Sequence, residues 1–448
     1  MQVEATIESP KVSHSATPVV IAPPLRVTFA WTLAGNVIYA GCQWGMISVL
    51  AKLGSTTAVG QFSLALAITA PVLMLMNMWL RAVQATDAQS EFQFSDYFTL
   101  RGLTTSAALL VVSLVVLISG YTKATAMIIL LVAGAKSVES FTDIVAGLLQ
   151  KHERLDQVAI SFMLKGACSL ITFTGTYALT RSVAAAAAAL CSTWLLVFLL
   201  YDFRLARKLL DSSMPFLAWH PSRLSLLAKT AGPLGIVTAL SSLNSNVPRY
   251  AIEHFRGTSD LGIFSALGYI VVVMTLLVNA LSQSAVVRLS GYFANGDSRR
   301  FSQLLFRMSA LCIAAALAGL ILCSLIGRPV IRVIYGPEYA AHINLLELFI
   351  VASGINAVAA VLSFGMTAAR QFRAQLPVLM STVSTCAFFV WLLTPRWGMT
   401  GAATAIILAA AVQATGGFLV IRYALRRKAT GLASVLSHEA QSCASLAG

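Results

Sequence analysis

Twelve stretches of about twenty mostly apolar residues follow one another along the chain, at 28–51, 60–81, 102–120, 124–149, 158–179, 182–201, 228–250, 260–286, 304–326, 343–368, 376–394 and 399–421. As helices rising about 1.5 Å per residue, such stretches match the roughly 30 Å hydrocarbon core of a bilayer. No soluble domain interrupts them, and the longest polar segment, 201–228, has room only for a short amphipathic helix. Composition agrees: 58% of the 448 residues are hydrophobic, 11% are charged, and the mean hydropathy is +0.80. A soluble domain carries about 25% charge. The charged groups are too few to cover a water-soluble particle of this size, so the outer surface is predicted to face lipid. That excludes a soluble enzyme, a secreted disulfide scaffold and a nucleic-acid-binding module. The expected class is an all-α, polytopic membrane protein.

Charge placement predicts its orientation. The net charge is +14, but the basic residues are spread through short polar gaps and form no block interleaved with aromatics, which argues against nucleic acid. With the N-terminus inside, the inner segments hold 21 of the 31 Lys and Arg and the outer ones eight; Lys136 and Lys165 lie within spans. The positive-inside bias therefore predicts both termini in the cytoplasm. Residues 1–25, with Glu4, Glu8, Lys11 and four prolines, lack the basic start and apolar run of a secretory signal, and read as a disordered cytoplasmic tail. The seven cysteines form no CxxC pair, and the six histidines are isolated from one another, so neither a disulfide framework nor a metal site is expected.

The chain repeats itself. Gly60-Gln61-Phe62-Ser63 opens the second span and Gly262-Ile263-Phe264-Ser265 the eighth; Gly147 and Gln157 correspond to Gly365 and Gln375. Both pairs of matches are reconciled by one insertion in the segment 328–342, which contains Tyr335-Gly336-Pro337-Glu338-Tyr339. Two six-span halves entering from the same side make a parallel repeat, with a pseudo-two-fold axis along the membrane normal and a cavity between the lobes. The predicted boundaries are a lobe over 26–203, a cytoplasmic linker over 204–227, a second lobe over 228–425 and a cytoplasmic tail over 426–448.

Polar chemistry concentrates in a few spans. Lys136, Glu139, Ser140 and Asp143 fall within about 60° of one another at about 100° per residue. A charge facing lipid costs about 2.5–3.5 kcal/mol at a helix centre, so this stripe must face protein or water. On the fifth span Ser161, Lys165, Ser169, Thr172 and Thr176 share a face. Two readings stand: Lys165 pairs with Asp143 or Glu139 and pins two helices together, or the stripes line a hydrated cavity that handles an anion or a coupling ion. Asn36, Tyr39 and Gln43 share one face of the first span. The seventh carries Ser241, Asn244 and Ser245 between Pro233 and Pro248, with Arg249 and Glu253 spaced for a local ion pair. Arg81, Arg288 and Arg307 mark inner ends, where such side chains snorkel to headgroups. No nucleophile–base pair, HExxH, Walker loop or carboxylate dyad occupies an aqueous segment, so an enzyme is not expected.

Several runs resemble those of bacterial polysaccharide flippases: Leu80-Arg81-Ala82-Val83-Gln84-Ala85-Thr86-Asp87, Gly147-Leu148-Leu149-Gln150-Lys151-His152-Glu153-Arg154, Val247-Pro248-Arg249-Tyr250, Leu261-Gly262-Ile263-Phe264-Ser265-Ala266-Leu267 and Tyr335-Gly336-Pro337-Glu338-Tyr339. Over about residues 26–425 the chain resembles the O-antigen/exopolysaccharide flippases of the multidrug, oligosaccharidyl-lipid and polysaccharide exporter superfamily. The resemblance implies two six-helix lobes around a central, often cationic cavity in a bacterial inner membrane. It implies export of an undecaprenyl-pyrophosphate-linked oligosaccharide by alternating access, without cofactors, coupled to H+ or Na+. Membrane lipid, and glycosyltransferases and a polymerase of the same pathway, are the expected partners.

On this reading Lys136, Lys165 and Arg249 meet the anionic head, Arg81, Arg288 and Arg307 flank its entry, Asn36, Gln43 and Asn244 bond sugar hydroxyls, and Glu139 and Asp143 couple an ion. The rivals are a multidrug or cation antiporter, which would favour a net negative cavity, and a polysaccharide polymerase or ligase, which would keep a sizeable outer loop.

Overall fold

The computed structural model describes residues 25–87, 89–210 and 215–446, so all but the last residue of the expected 1–25 tail lies outside the described residues. The first half contains α1 (Leu25–Leu53), α2 (Thr56–Asn77), α3 (Leu80–Thr86), α4 (Phe94–Ile118), α5 (Lys123–Lys151), α6 (Leu155–Thr180), α7 (Val183–Val197) and, after a π-helical turn at Phe198–Asp202, α8 (Phe203–Leu209). The second contains α9 (Pro221–Arg256), α10 (Thr258–Ile270), α11 (Val272–Ala294), α12 (Ser298–Leu322), α13 (Arg328–Ile334), α14 (Pro337–Ala340), α15 (Ile343–Ala368) and α16 (Phe372–Leu446). No strand occurs among the described residues.

Local chemistry sets the breaks. The Ser55, Thr122 and Ser182 hydroxyls accept the free amides at the starts of α2, α5 and α7. Gln93 and Asp96 close a capping box on α4. Among the described residues, ten helices are long and apolar enough to cross a membrane. One of them, Phe372–Lys428, has 57 residues, about 85 Å if straight. It folds back at Gly398, whose φ 59 and ψ −137 suit only glycine, and so crosses twice. Helices α10 and α11, joined end to end at Val271, make another crossing. The twelve expected spans are thereby accounted for. The third begins at Phe94 rather than 102, because the capping box starts the helix two turns early, and this draws Arg101 from the expected loop into the helix.

The two halves meet about a pseudo-two-fold axis that shows directly where α2 crosses α10. A Cβ on Gly60 would collide with the Thr258 carbonyl, and a Cβ on Gly262 with the Thr56 carbonyl. The two contacts are reciprocal, as a two-fold interface requires.

Among the described residues, the apolar core divides unevenly between the two ends of the bundle. At the end where Thr56 meets Thr258, one core draws on both lobes, joining Leu50, Phe62 and Phe173 to Leu267, Tyr335, Phe349 and Met399. At the opposite end the lobes keep separate cores: Leu80, Tyr97, Leu149 and Leu227 in the first, and Leu289, Phe301, Leu305 and Met366 in the second. The lobes are thus fused at the Thr56 end, while at the other, splayed end they keep separate cores and meet through α9, whose Gly235 lies against Leu75 and Met78 at the end of α2. Helix α9 is the exception, since its N-terminal turns pack into the first lobe's core through Leu224 and Leu227.

Candidate functional site

The stripe on α5 faces inward. The side chains of Lys136, Glu139, Asp143 and their neighbour Arg81 are 25–32% exposed, half-buried as a wetted wall would be. The Lys136 ammonium lies 2.7 Å from Glu139 Oε2 and 5.1 Å from the centre of the Trp194 ring. Tyr39 OH, reaching across from α1, donates to Glu139 Oε1 at 2.6 Å. One turn further on, Asp143 sits between Arg81 at 3.5 Å and Arg101 at 3.6 Å. Arg101 is fully buried and also donates to Asn77, while Arg81 Nε donates to Gln150 at 3.2 Å.

Lys165 departs from expectation. It pairs with neither Asp143 nor Glu139 but with Asp202 at 3.7 Å, both side chains being 1% exposed. The π-helical turn after α7 carries Asp202 into the bundle, where Ser161 and Thr142 donate to its carboxylate at 2.6 and 3.0 Å. The ion pair ties α5, α6 and the end of α7 together. The sequence placed position 202 just past a span, whereas the helix runs on through the π turn that contains it.

Arg249 also departs from its expected pairing. Glu253 is not its partner: Arg249 Nη1 donates to Asn246 Oδ1 at 2.8 Å, and among the described residues no carboxylate lies within ion-pair distance. Tyr269, three turns into α10, is within electrostatic reach of Arg249, Tyr39 and Tyr335. Gln43 Nε2 and Asn244 Oδ1, on α1 and α9, are buried and lack hydrogen-bond partners. A buried unpaired polar atom is costly unless water or a ligand satisfies it.

The remaining sequence candidates lie elsewhere. Asn36 is exposed on α1, and Arg288 and Arg307 are exposed on α11 and α12 near the splayed end. Arg101, Asp202, Trp194 and Tyr269 were missed. Arg101 and Asp202 sat at span ends and read as loop charges, while an aromatic in an apolar helix carries no signal of its own. Among the described residues, no group of three or more His, Cys, Asp or Glu could hold a metal.

No protein-family model matches the chain. It is similar to the capsular polysaccharide biosynthesis protein CapF of Staphylococcus aureus, 25% identical over 382 residues, 85% of this chain and 95% of that protein. Among solved structures, an inward-facing multidrug resistance MATE transporter of the MOP superfamily matches with TM-score 0.70 and 11% identity, over 89% of this chain and 99% of that one. The lipid II flippase MurJ, in an inward closed conformation, matches with TM-score 0.69 and 10% identity over 90% of each chain. An outward-facing MATE transporter matches with TM-score 0.54 and 12% identity, over 91% of this chain and 95% of that one. The resemblance read from the sequence is borne out at the level of architecture: this multi-pass membrane protein has the fold shared by the drug-exporting and lipid-flipping transporters of the MOP superfamily.

Proposed function

We propose that the chain flips an undecaprenyl-pyrophosphate-linked oligosaccharide across a bacterial inner membrane, for assembly of a surface polysaccharide. The observation that carries this is the charge of the site. Five cations, Arg81, Arg101, Lys136, Lys165 and Arg249, stand against three acids, Glu139, Asp143 and Asp202, and Arg249 has no acidic partner among the described residues. A pyrophosphate cannot enter hydrocarbon alone, whereas a polyprenyl tail stays in lipid, so a cationic, hydrated interior supplies what the head group lacks. A cationic drug would meet the wrong sign. The capsular polysaccharide relative and the lipid II flippase point the same way.

In this reading Arg249 and Lys136 hold the pyrophosphate from opposite lobes. Gln43 and Asn244 offer unsatisfied polar atoms to sugar hydroxyls. Arg81 is already engaged by Asp143 and Gln150, and so orients that acid more than it binds substrate. Lys165, sealed against Asp202, adds positive potential from behind the wall. The exposed Arg288 and Arg307 sit at the splayed end, where a head group would enter from the cytoplasm. Coupling to H+ or Na+ falls to Glu139, which Tyr39 and Lys136 hold at the half-exposed surface, rather than to Asp143, which two arginines neutralise. Glycosyltransferases and a polymerase would supply and consume the lipid-linked sugar.

Complementation tests the assignment in a strain lacking its own flippase. Arg249→Gln should abolish surface polysaccharide at normal membrane levels of the protein, with Arg249→Lys retaining part. Lys136→Ala and the double variant Lys136→Ala/Glu139→Ala should fail alike. Rescue by the double variant would mean that Lys136 only neutralises Glu139 and does not touch substrate.

A further inference from the structure

The Tyr335–Tyr339 turn belongs to the second lobe but is built into the first. Gly336, at φ +114, lets the chain reverse between α13 and α14, and Tyr335 and Tyr339 are 1% and 2% exposed. Trp44 Nε1, on α1, donates to the Tyr335 hydroxyl at 2.7 Å, and that hydroxyl donates to the Ala266 carbonyl of α10 at 3.0 Å. One oxygen thus bridges helices of both lobes. Burial pushes the Tyr335 hydroxyl up to about 12, so it remains a donor throughout the physiological range. Lys52 Nζ, at the end of α1, donates to the Val333 carbonyl at 3.1 Å. Beside this turn lies the α2–α10 crossing, where the Thr56 and Ser259 hydroxyls are 2.7 Å apart.

These contacts gather at the end where the lobes share a core. The closure is tight but imperfect. Ser63 Oγ, its repeat counterpart Ser265 Oγ and the Tyr339 hydroxyl are buried there without hydrogen-bond partners. Opening this end returns all three to water, which offsets part of the cost of exposing the shared apolar core. A permanent seal would satisfy them; one that must part gains from leaving them unmet.

We propose that the Tyr335–Tyr339 turn is a clasp that holds the lobes shut at the Thr56–Thr258 end, and that its release from Trp44 and Ala266 opens this face during transport. The proposal rests on the transporter reading above, but its test needs no substrate, so a wrong substrate assignment leaves the outcome unaffected. Single-cysteine forms of the full chain, in native membrane vesicles, carry Ser63→Cys at the clasped end or Leu227→Cys in the first lobe's core at the other. Each is labelled with a water-soluble maleimide. Tyr335→Phe keeps the ring and removes both hydrogen bonds; Trp44→Phe removes one.

A net hydrogen-bond contribution of about 0.5–1.5 kcal/mol corresponds to roughly 2- to 12-fold in the open population. The Ser63→Cys labelling rate should therefore rise about fivefold in Trp44→Phe and further in Tyr335→Phe, with the Leu227→Cys rate unchanged. An unchanged rate at Ser63→Cys would overturn the clasp. So would an equal rise at Leu227→Cys, because that reports general loosening rather than release of one end.

Discussion

Two basic side chains of the site behave in opposite ways, and the difference is thermodynamic. Lys165 and Asp202 form a sealed pair, so removing one partner leaves a bare charge in a dry interior. Lys165→Met alone should cost about 3–5 kcal/mol, while Lys165→Met/Asp202→Leu should return to within about 1 kcal/mol of the parent, read by thermal unfolding in micelles. A double variant as unstable as the single would mean that the pair is not what holds α5, α6 and the end of α7 together. Arg249 has no carboxylate to satisfy it among the described residues, so its presence is a cost to the fold. Arg249→Met should therefore unfold at the same temperature or higher, yet bind an undecaprenyl-pyrophosphate head at least tenfold more weakly, about the loss expected for one charge-assisted hydrogen bond. A large drop in stability would assign Arg249 to structure. The presence of these charges inside the bundle was legible in the sequence, since charged residues stand out in apolar runs. Their pairing was not. Asp202 lies 37 positions from Lys165 and reaches it only through a π-helical turn, a feature with no reliable signature in residue types.

At the scale of elements, the spans were readable because their length and apolarity are imposed by the bilayer. The boundaries were less so, because capping and kinking residues move them. The start of α4 is one example, and the turn before it carries a pH dependence. Burial alone would raise the Asp87 carboxyl. The backbone amides of Glu91 and Phe92, at 3.0 and 3.2 Å, together with Lys151 at 3.9 Å, hold it below the ordinary aspartate value instead. A depressed folded-state value contributes stability that is complete above the unfolded value and is lost as pH falls through the folded one. The Glu91 and Phe92 amides should thus stay protected against hydrogen exchange at neutral pH and lose protection below about pH 4. Asp87→Asn should show weak protection and no such step. A step that persists in the Asn variant would place the titration on another group. The crossing of α2 and α10 lies at the other extreme of legibility. The repeated Gly-x-Phe-Ser segments already paired these two spans as repeat counterparts, and the structure shows why each needs glycine: the facing carbonyl leaves no room for a Cβ.

At the scale of the molecule, one end of the bundle is fused and the other splayed. Two six-span halves could be read from the repeat, but their relative tilt could not, because tilt depends on which apolar faces meet. The distribution of Lys and Arg predicts that the splayed end faces the cytoplasm. An alkaline-phosphatase fusion after Arg181 should be active and one after Arg427 inactive; the reverse pattern would invert the proposed direction of transport. In the proposed function the cationic interior carries a pyrophosphate-linked sugar from one leaflet to the other. Its most direct measurement is made in proteoliposomes holding the purified chain and a fluorescent undecaprenyl-pyrophosphate oligosaccharide, with an impermeant enzyme outside that modifies only exposed sugar. Without flipping, about half of the labelled lipid stays protected in the inner leaflet. The parent protein should expose nearly all of it over time, and Arg249→Gln should leave the protected half intact. Protection unchanged by the parent protein, alongside proton-driven extrusion of a cationic dye from the same vesicles, would rule out flipping and establish drug export instead.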